Sequence, residues 1–214
     1  MSVVNVVRRA LRRLLQGLAE QLRIRLMLFA MWFFPRRAVD GVLLIPLLKT
    51  DEHTATFFAK VTAALAIVRL YDPRRYRRVV HLLRRIALVP AGGEYVDTSL
   101  ATYMMDVPTL VQRTAPSLAL KIVHEVAHLR LKQAGIPYAE SLRDRIEDLC
   151  IRQEIDFAER TPRALGLVEE AKRKLGQRWW DDAALQVRHA QYLAGYPLPS
   201  WLRSAVRMMF RLNH

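Results

Sequence analysis

Apolar residues recur at helical spacing along most of the chain. In residues 3–22, intervals of three and four predict an amphipathic helix with a stripe formed by Val3, Val4, Val7, Leu11, Leu14, Leu15, Leu18 and Leu22. The same periodicity predicts a core helix over residues 54–70. Further helices are expected at residues 139–159, 164–175, 181–193 and 200–212. The chain should therefore be mainly helical.

Strand-like segments are few and lie in the first half of the chain. Residues 86–89 form a short apolar run that ends at a Pro-Ala-Gly-Gly turn. Residues 95–107, rich in β-branched and aromatic side chains, are the best strand candidate. These patterns predict a mainly α (α+β) fold, with a small β-sheet before a central helix at residues 116–134.

The predicted elements divide the chain after residue 71. Residues 1–71 are basic and apolar and should form a helical N-terminal region. Asp72 can cap the next helix, with Pro73 at its first position. Residues 72–214 are expected to form one domain around the central helix.

Two apolar segments bear on the membrane question. Residues 26–34 are nine in number, whereas a helix that spans a bilayer needs about 20. Pro35 and two arginines follow directly, which argues against a cleaved signal peptide. Residues 54–70 include Lys60 and show helical periodicity, so a core helix is preferred and a membrane segment is the alternative.

Positive charge is concentrated in the first part of the chain. The 214 residues carry a net charge of +14; residues 1–90 contain 17 Lys and Arg against 5 Asp and Glu. This half could contact an anionic membrane surface through its N-terminal helix, or it could simply have solvated helix faces. No groove-reading motif accompanies the arginines, which argues against a nucleic-acid ligand. The single cysteine argues against a disulfide framework and favours a cytoplasmic location. A cytoplasmic protein attached to the membrane surface is the alternative.

The strongest chemical signal is His124-Glu125-Val126-Ala127-His128, an H-E-x-x-H motif in the central helix. Two histidines four residues apart project from one helix face and can bind one tetrahedral zinc ion. Glu125, beside the first histidine, could take a proton from a water bound to that zinc. The alternative is two ordinary helix histidines with a solvated glutamate.

A catalytic zinc site needs a third protein ligand. The following helix offers Glu140, Glu147 and Glu154. If that helix folds straight back, a rise of about 1.5 Å per residue brings Glu147 level with the histidine pair, whereas Glu154 overshoots it. Zn²⁺ is therefore expected on the two histidines and Glu147, with Glu154 and the thiol of Cys150 as less favoured alternatives.

Other side chains could assist at such a site. Asp144 and Asp148 could orient a histidine ring, or pair with neighbouring arginines on the surface. A transition-state oxyanion usually receives a second donor besides the metal. The candidates are Tyr138, His189, Tyr192 and Tyr196, for each of which packing is the alternative role.

The motif with Glu147 on the next helix resembles the zincin metallopeptidases and, among them, the gluzincins, of which thermolysin is the familiar member. The resemblance covers about residues 95–160. It implies a zinc metallopeptidase, a hydrolase whose metal-activated water attacks a peptide or protein substrate with Glu125 as general base. His124, His128 and Glu147 would be its metal ligands.

The chain departs from two zincin patterns. Leu131 and Ala134 stand where the metzincin motif has its glycine and third histidine. Ile151 stands where the thermolysin-like E-x-x-x-D helix has its aspartate. The resemblance therefore implies a minimal gluzincin-like domain of a type of its own.

Two other functions stay open. The chain could be a non-catalytic, zinc-stabilised interaction protein whose basic N-terminal half binds membrane or nucleic acid. It could also be a zinc hydrolase that acts on a non-peptide substrate.

Overall fold

The computed structural model describes residues 5, 17–18, 20–22, 24–29, 31–47, 50–90 and 93–176. Within them one mixed sheet is formed by β1 Arg37–Val39, β2 Val42–Pro46, β3 Arg85–Val89, β4 Tyr95–Asp97 and β5 Thr102–Asp106. The strand order is β1-β2-β3-β5-β4. Strands β2, β3 and β5 are parallel, while β1 and β4 pair antiparallel at the two edges.

The helices that the structure delimits are α1 Asp51–Tyr71, α2 Pro73–Leu82, α3 Val107–Gln112, α4 Ala115–Gln133, α5 Glu140–Glu159 and α6 Val168–Lys174. A 3-10 helix, Pro162–Leu167, precedes α6. The described residues between 17 and 32 are also helical and, together with Phe33 in the turn that follows, are called the N-terminal helix below. The expected mainly helical α+β fold, with a small sheet before the motif helix, is confirmed.

The sequence marks where the helices around the site begin and end. Asp72 caps α2 as predicted, because its carboxylate accepts a hydrogen bond from the backbone N–H of Arg75 at 2.8 Å. Thr114 caps the motif helix α4 through the backbone N–H of Ser117. Gly135, with a φ of 77°, follows α4 in the left-handed conformation that favours glycine at a helix end.

The prediction of one strand over residues 95–107 is wrong in its extent. The segment forms two strands, β4 and β5, in an antiparallel hairpin. Asp97 accepts hydrogen bonds from the backbone N–H groups of Ser99 and Leu100, and Ala101 has a φ of 47°. These local bonds break a segment whose composition is strand-like throughout.

One core joins elements from both sides of residue 71. Phe57, Val61 and Leu65 of α1 pack in the same cluster as Ile86 of β3 and Val126 of α4. Helix α1 is long and apolar enough to cross a membrane by length and composition, but six of its residues are buried in this structure. This agrees with the expected core helix. The domain division after residue 71 stays a prediction.

Alternate residues of the strands face opposite sides of the sheet. Leu44, Ile86 and Tyr103 belong to the core under α1 and α4. Their neighbours in the strands, Ile45 and Met104 among them, belong to a second cluster under the N-terminal helix. The predicted helix at 164–175 is shortened to α6, while the predicted helices at 181–193 and 200–212, and most of that at 3–22, lie outside the described residues.

Candidate metal centre

Helices α4 and α5 bring two histidines and a glutamate together. The Nε2 atoms of His124 and His128 are 3.1 Å apart. One carboxylate oxygen of Glu147 is 3.3 Å from Nε2 of His124, and the other is 3.5 Å from Nε2 of His128. Donors at roughly 2.0–2.1 Å from a tetrahedral zinc ion lie about 3.3–3.4 Å from one another. These three side chains could therefore hold one zinc ion.

Cys150 adds a further donor to the same group. The thiol of Cys150 and one ring nitrogen each of His124 and His128 lie within 4.8 Å of one another, so this buried group could hold a metal ion. Burial, followed by the charges of Glu147 and Glu125, raises the pKa of the Cys150 thiol. The neutral thiol is therefore favoured, and a metal ion bound there would have to displace its proton.

The cluster is buried and its groups stabilise each other's charges. His124 is 2% exposed, Glu147 is 4% exposed and His128 is 9% exposed. Burial alone would raise the pKa of Glu147, but hydrogen bonds from His124 and His128 hold it well below its ordinary value. The pKa of His124 is raised, because the nearby carboxylates outweigh its burial and the charge of Lys121. Glu147 is thus held as the carboxylate that a metal requires.

Glu154 approaches the other side of the His124 ring. Its Oε1 atom is 2.7 Å from Nδ1 of His124, which is an ion-pair distance without the alignment of a hydrogen bond. A carboxylate at Nδ1 can fix the ring orientation and leave Nε2 to face a metal. The prediction that Glu154 overshoots the histidine pair is wrong, because Glu147 and Glu154 reach the ring from positions two turns apart.

For Asp144 and Asp148 the sequence leaves two roles open, orientation of a histidine ring and surface pairing with an arginine. The carboxylate of Asp148 accepts a hydrogen bond from the backbone N–H of Gly176 at 3.2 Å, at the end of α6. The role predicted for Asp144 stays a prediction. Glu154 is named from the sequence as a less favoured metal ligand, and its place at Nδ1 of His124 was not predicted, although its seven-residue spacing from Glu147 puts both on one helix face.

Glu125 is buried and paired with a lysine. Nζ of Lys121, one turn earlier on α4, lies 2.7 Å from Oε1 of Glu125, whose side chain is 2% exposed. Burial alone would raise the pKa of Glu125. The charge of Lys121 has the opposite and larger effect, so the pKa lies below its ordinary value. Glu125 is therefore a carboxylate that can accept a proton but is a weakened base. Lys121 was not predicted, although its spacing of four residues from Glu125 is visible in the sequence.

Tyr138 follows the turn after α4 and contacts the cluster. Its hydroxyl donates to Oε1 of Glu147 at 2.5 Å, and its ring meets the ring of His128 edge-on with centroids 5.5 Å apart. Tyr138 is 49% exposed, so it links this cluster of buried groups to solvent. The other predicted oxyanion donors, His189, Tyr192 and Tyr196, lie outside the described residues.

A network of hydrogen bonds fixes the start of the motif helix. Arg113, which precedes α4, binds the carboxylate of Glu94 and the hydroxyl of Ser117. The buried Tyr103 of β5 donates to the same Glu94. Lys60 of α1 donates to the backbone carbonyl of Arg113 at 2.8 Å and to two carbonyls at the end of α3. The sheet and α1 therefore position the helix that presents the two histidines.

Comparison of the chain with models of known protein families, with curated proteins and with solved structures finds no match. The gluzincin resemblance consequently rests on the motif and the candidate ligand helix alone.

Proposed function

We propose that the protein is a zinc-dependent hydrolase of the metallopeptidase type, with zinc held by His124, His128 and Glu147. The observation that carries the proposal is that the two Nε2 atoms are 3.1 Å apart and that each faces one oxygen of the Glu147 carboxylate, at 3.3 Å for His124 and 3.5 Å for His128, close to the spacing of donors around zinc. Three protein ligands leave a fourth position open, as catalytic zinc sites require.

The side chains around the ligands take distinct roles in this proposal. Zinc, when bound, supplies a Lewis acid and lowers the pKa of a coordinated water. Glu125 accepts a proton from the attacking water and returns it to the leaving amine. Glu154 orients the His124 ring. Tyr138, a half-exposed residue whose hydroxyl lies at the cluster, donates to the negative charge that develops on the carbonyl oxygen.

A peptide or protein is the proposed substrate because of the sheet edge. Strand β4 is the outermost strand on the side of the motif helix, and its outer edge is unpaired within the described residues. An extended peptide can add to such an edge by backbone hydrogen bonds. The order of sheet, motif helix and second ligand-bearing helix supports a minimal gluzincin-like domain.

Two observations favour the second candidate, a non-catalytic zinc-stabilised interaction protein. Lys121 weakens Glu125 as a base. Cys150 offers a fourth protein donor next to the histidines. Four protein ligands close a zinc site and make it structural. The two candidates therefore differ in whether Cys150 binds the metal and whether Glu125 is needed only for turnover.

The test combines metal analysis with a peptide hydrolysis assay on the full chain. Wild type is compared with Glu125→Gln and with the control Glu140→Gln, which changes an exposed glutamate at the start of α5. We expect about one zinc per chain in all three proteins and hydrolysis in wild type and the control only. Zinc without hydrolysis in wild type would favour the structural site, and wild type without zinc would contradict both candidates.

A further inference from the structure

The N-terminal helix is apolar on two opposite faces. Its inner face, which includes Ile24, Met27 and Met31, packs against the second core cluster on the sheet. Met31 is 3% exposed. This contact fixes the helix on the side of the sheet opposite to α1 and α4. The outer face must therefore point away from the body of the protein.

The outer face consists of large apolar side chains that the described residues leave uncovered. They are 58–72% exposed and comprise Leu22, Leu26, Phe29, Trp32 and Phe33. Residues 22, 26, 29 and 33 follow the four-three-four spacing of a single helix face. The rings of Phe29 and Phe33 meet edge-on with centroids 4.9 Å apart. An exposed apolar surface of this kind marks an interaction site.

Positive charge predominates around this face. Residues 17–40 contain four arginines and two acidic residues, Glu20 and Asp40. The side chains of Arg25, Arg36 and Arg37 are exposed. Tryptophan and phenylalanine beside arginine are typical of helices that lie in the interface of an anionic bilayer. An apolar protein partner would need no such charge, whereas anionic headgroups attract each arginine near the surface.

We infer that the outer face of the N-terminal helix docks on an anionic membrane surface. The inserted residues are those of the outer face, led by Trp32 and Phe33, and the arginines contact the headgroups. The helix lies on the membrane and does not span it, because its inner face is held by the sheet. The inference uses no residue of the metal centre and is independent of the proposed hydrolase activity.

The test is sedimentation of the full chain with lipid vesicles at low salt. One set of vesicles is phosphatidylcholine alone, and the other contains about 30% phosphatidylserine, enough for a negative surface potential. We expect binding to the anionic vesicles that falls as salt is added, since screening weakens the arginine contacts. Trp32→Ser/Phe33→Ser should lower the partition coefficient about tenfold or more.

Two variants complete the design. Leu70→Ser/Val111→Ser is the matched control, because these side chains are 69% and 58% exposed on helices of the opposite face; its partition coefficient should stay within about twofold of wild type. Arg36→Gln/Arg37→Gln should weaken binding to anionic vesicles by about tenfold. The inference would be overturned if wild type did not bind anionic vesicles at low salt, or if the Trp32→Ser/Phe33→Ser protein bound them as strongly as wild type. It would also be overturned if wild type sedimented as a dimer, failed to bind vesicles and became monomeric in that variant.

Discussion

Glu154 and Glu147 contact opposite nitrogens of one ring: Oε1 of Glu154 lies 2.7 Å from Nδ1 of His124, and a carboxylate oxygen of Glu147 lies 3.3 Å from Nε2. Both carboxylates come from α5, two turns apart, and both are at least nine-tenths buried. The ring is thereby held in one orientation with Nε2 directed toward His128 and Glu147. A carboxylate at Nδ1 raises the basicity of an imidazole that binds a metal through Nε2.

Replacing Glu154 should weaken the metal site without removing a ligand. We expect Glu154→Gln to lower zinc affinity about 10–100-fold, because the ring loses its charged partner. Competition with a chelator of known affinity measures this directly. Glu140→Gln on the same helix serves as the control and should bind zinc as wild type does. Equal affinity in Glu154→Gln and wild type would show that the Nδ1 contact has no part in metal binding.

Substitutions at Cys150 and Glu147 separate an open zinc site from a closed one. If Glu147 is the third ligand and the site is open, Cys150→Ser should keep about one zinc per chain, and Glu147→Ala should lose it. Metal content and the zinc-dependent rise in melting temperature report both outcomes. Zinc lost from Cys150→Ser, with the fold preserved by circular dichroism, would instead assign the thiol as a ligand and favour the structural role.

Tyr138 gives a test of catalysis that leaves the ligands in place. Tyr138→Phe removes the hydroxyl that donates to Glu147 but keeps the ring against His128. If the hydroxyl stabilises the oxyanion, kcat should fall about 100-fold or more. KM and zinc content should change little. Unchanged hydrolysis would leave Tyr138 with a packing role only.

The parts of the site that lie within one helix were predictable, and those that depend on two helices were only partly so. His124 and His128 share a face because of a fixed local period, and their convergence follows from sequence alone. The rise per residue of a helix was enough to predict that Glu147 of α5 lies level with the two histidines. Glu154 was misplaced, because a rise calculation ignores the length of a glutamate side chain and the reach of an imidazole ring.

The sheet was the least predictable part of the fold. No strand was predicted for residues 42–48, because Pro46 interrupts a short apolar run. In the structure Pro46 is the last residue of β2 and pairs with Leu88 of β3. A parallel strand buried on both faces lacks the alternation that identifies strands in sequence. The hairpin of β4 and β5 was not predicted for a different reason. The turn is formed by hydrogen bonds to Asp97, which lies in a segment of strand-like composition.

The pairing of Lys121 with Glu125 can be measured by a double-mutant cycle. Lys121→Met leaves a buried carboxylate without its ammonium partner, and we expect it to lower the free energy of unfolding by about 3 kcal/mol. Lys121→Met/Glu125→Gln should recover part of that loss, because the uncompensated charge is gone. Urea unfolding of wild type, the two single variants and the double variant gives the coupling energy.

The chain offers a matched exposed pair for this cycle. Lys174 and Glu170 are also four residues apart, with Nζ 3.1 Å from the carboxylate, but their side chains are 33% and 53% exposed, against 16% and 2% for Lys121 and Glu125. Lys174→Met should therefore cost less than about 1 kcal/mol. If Lys121→Met lowers the free energy of unfolding no more than Lys174→Met does, the buried Glu125 carboxylate is not stabilised by Lys121. In that case its carboxylate is free to turn toward the histidines, and the argument that Lys121 weakens the general base fails.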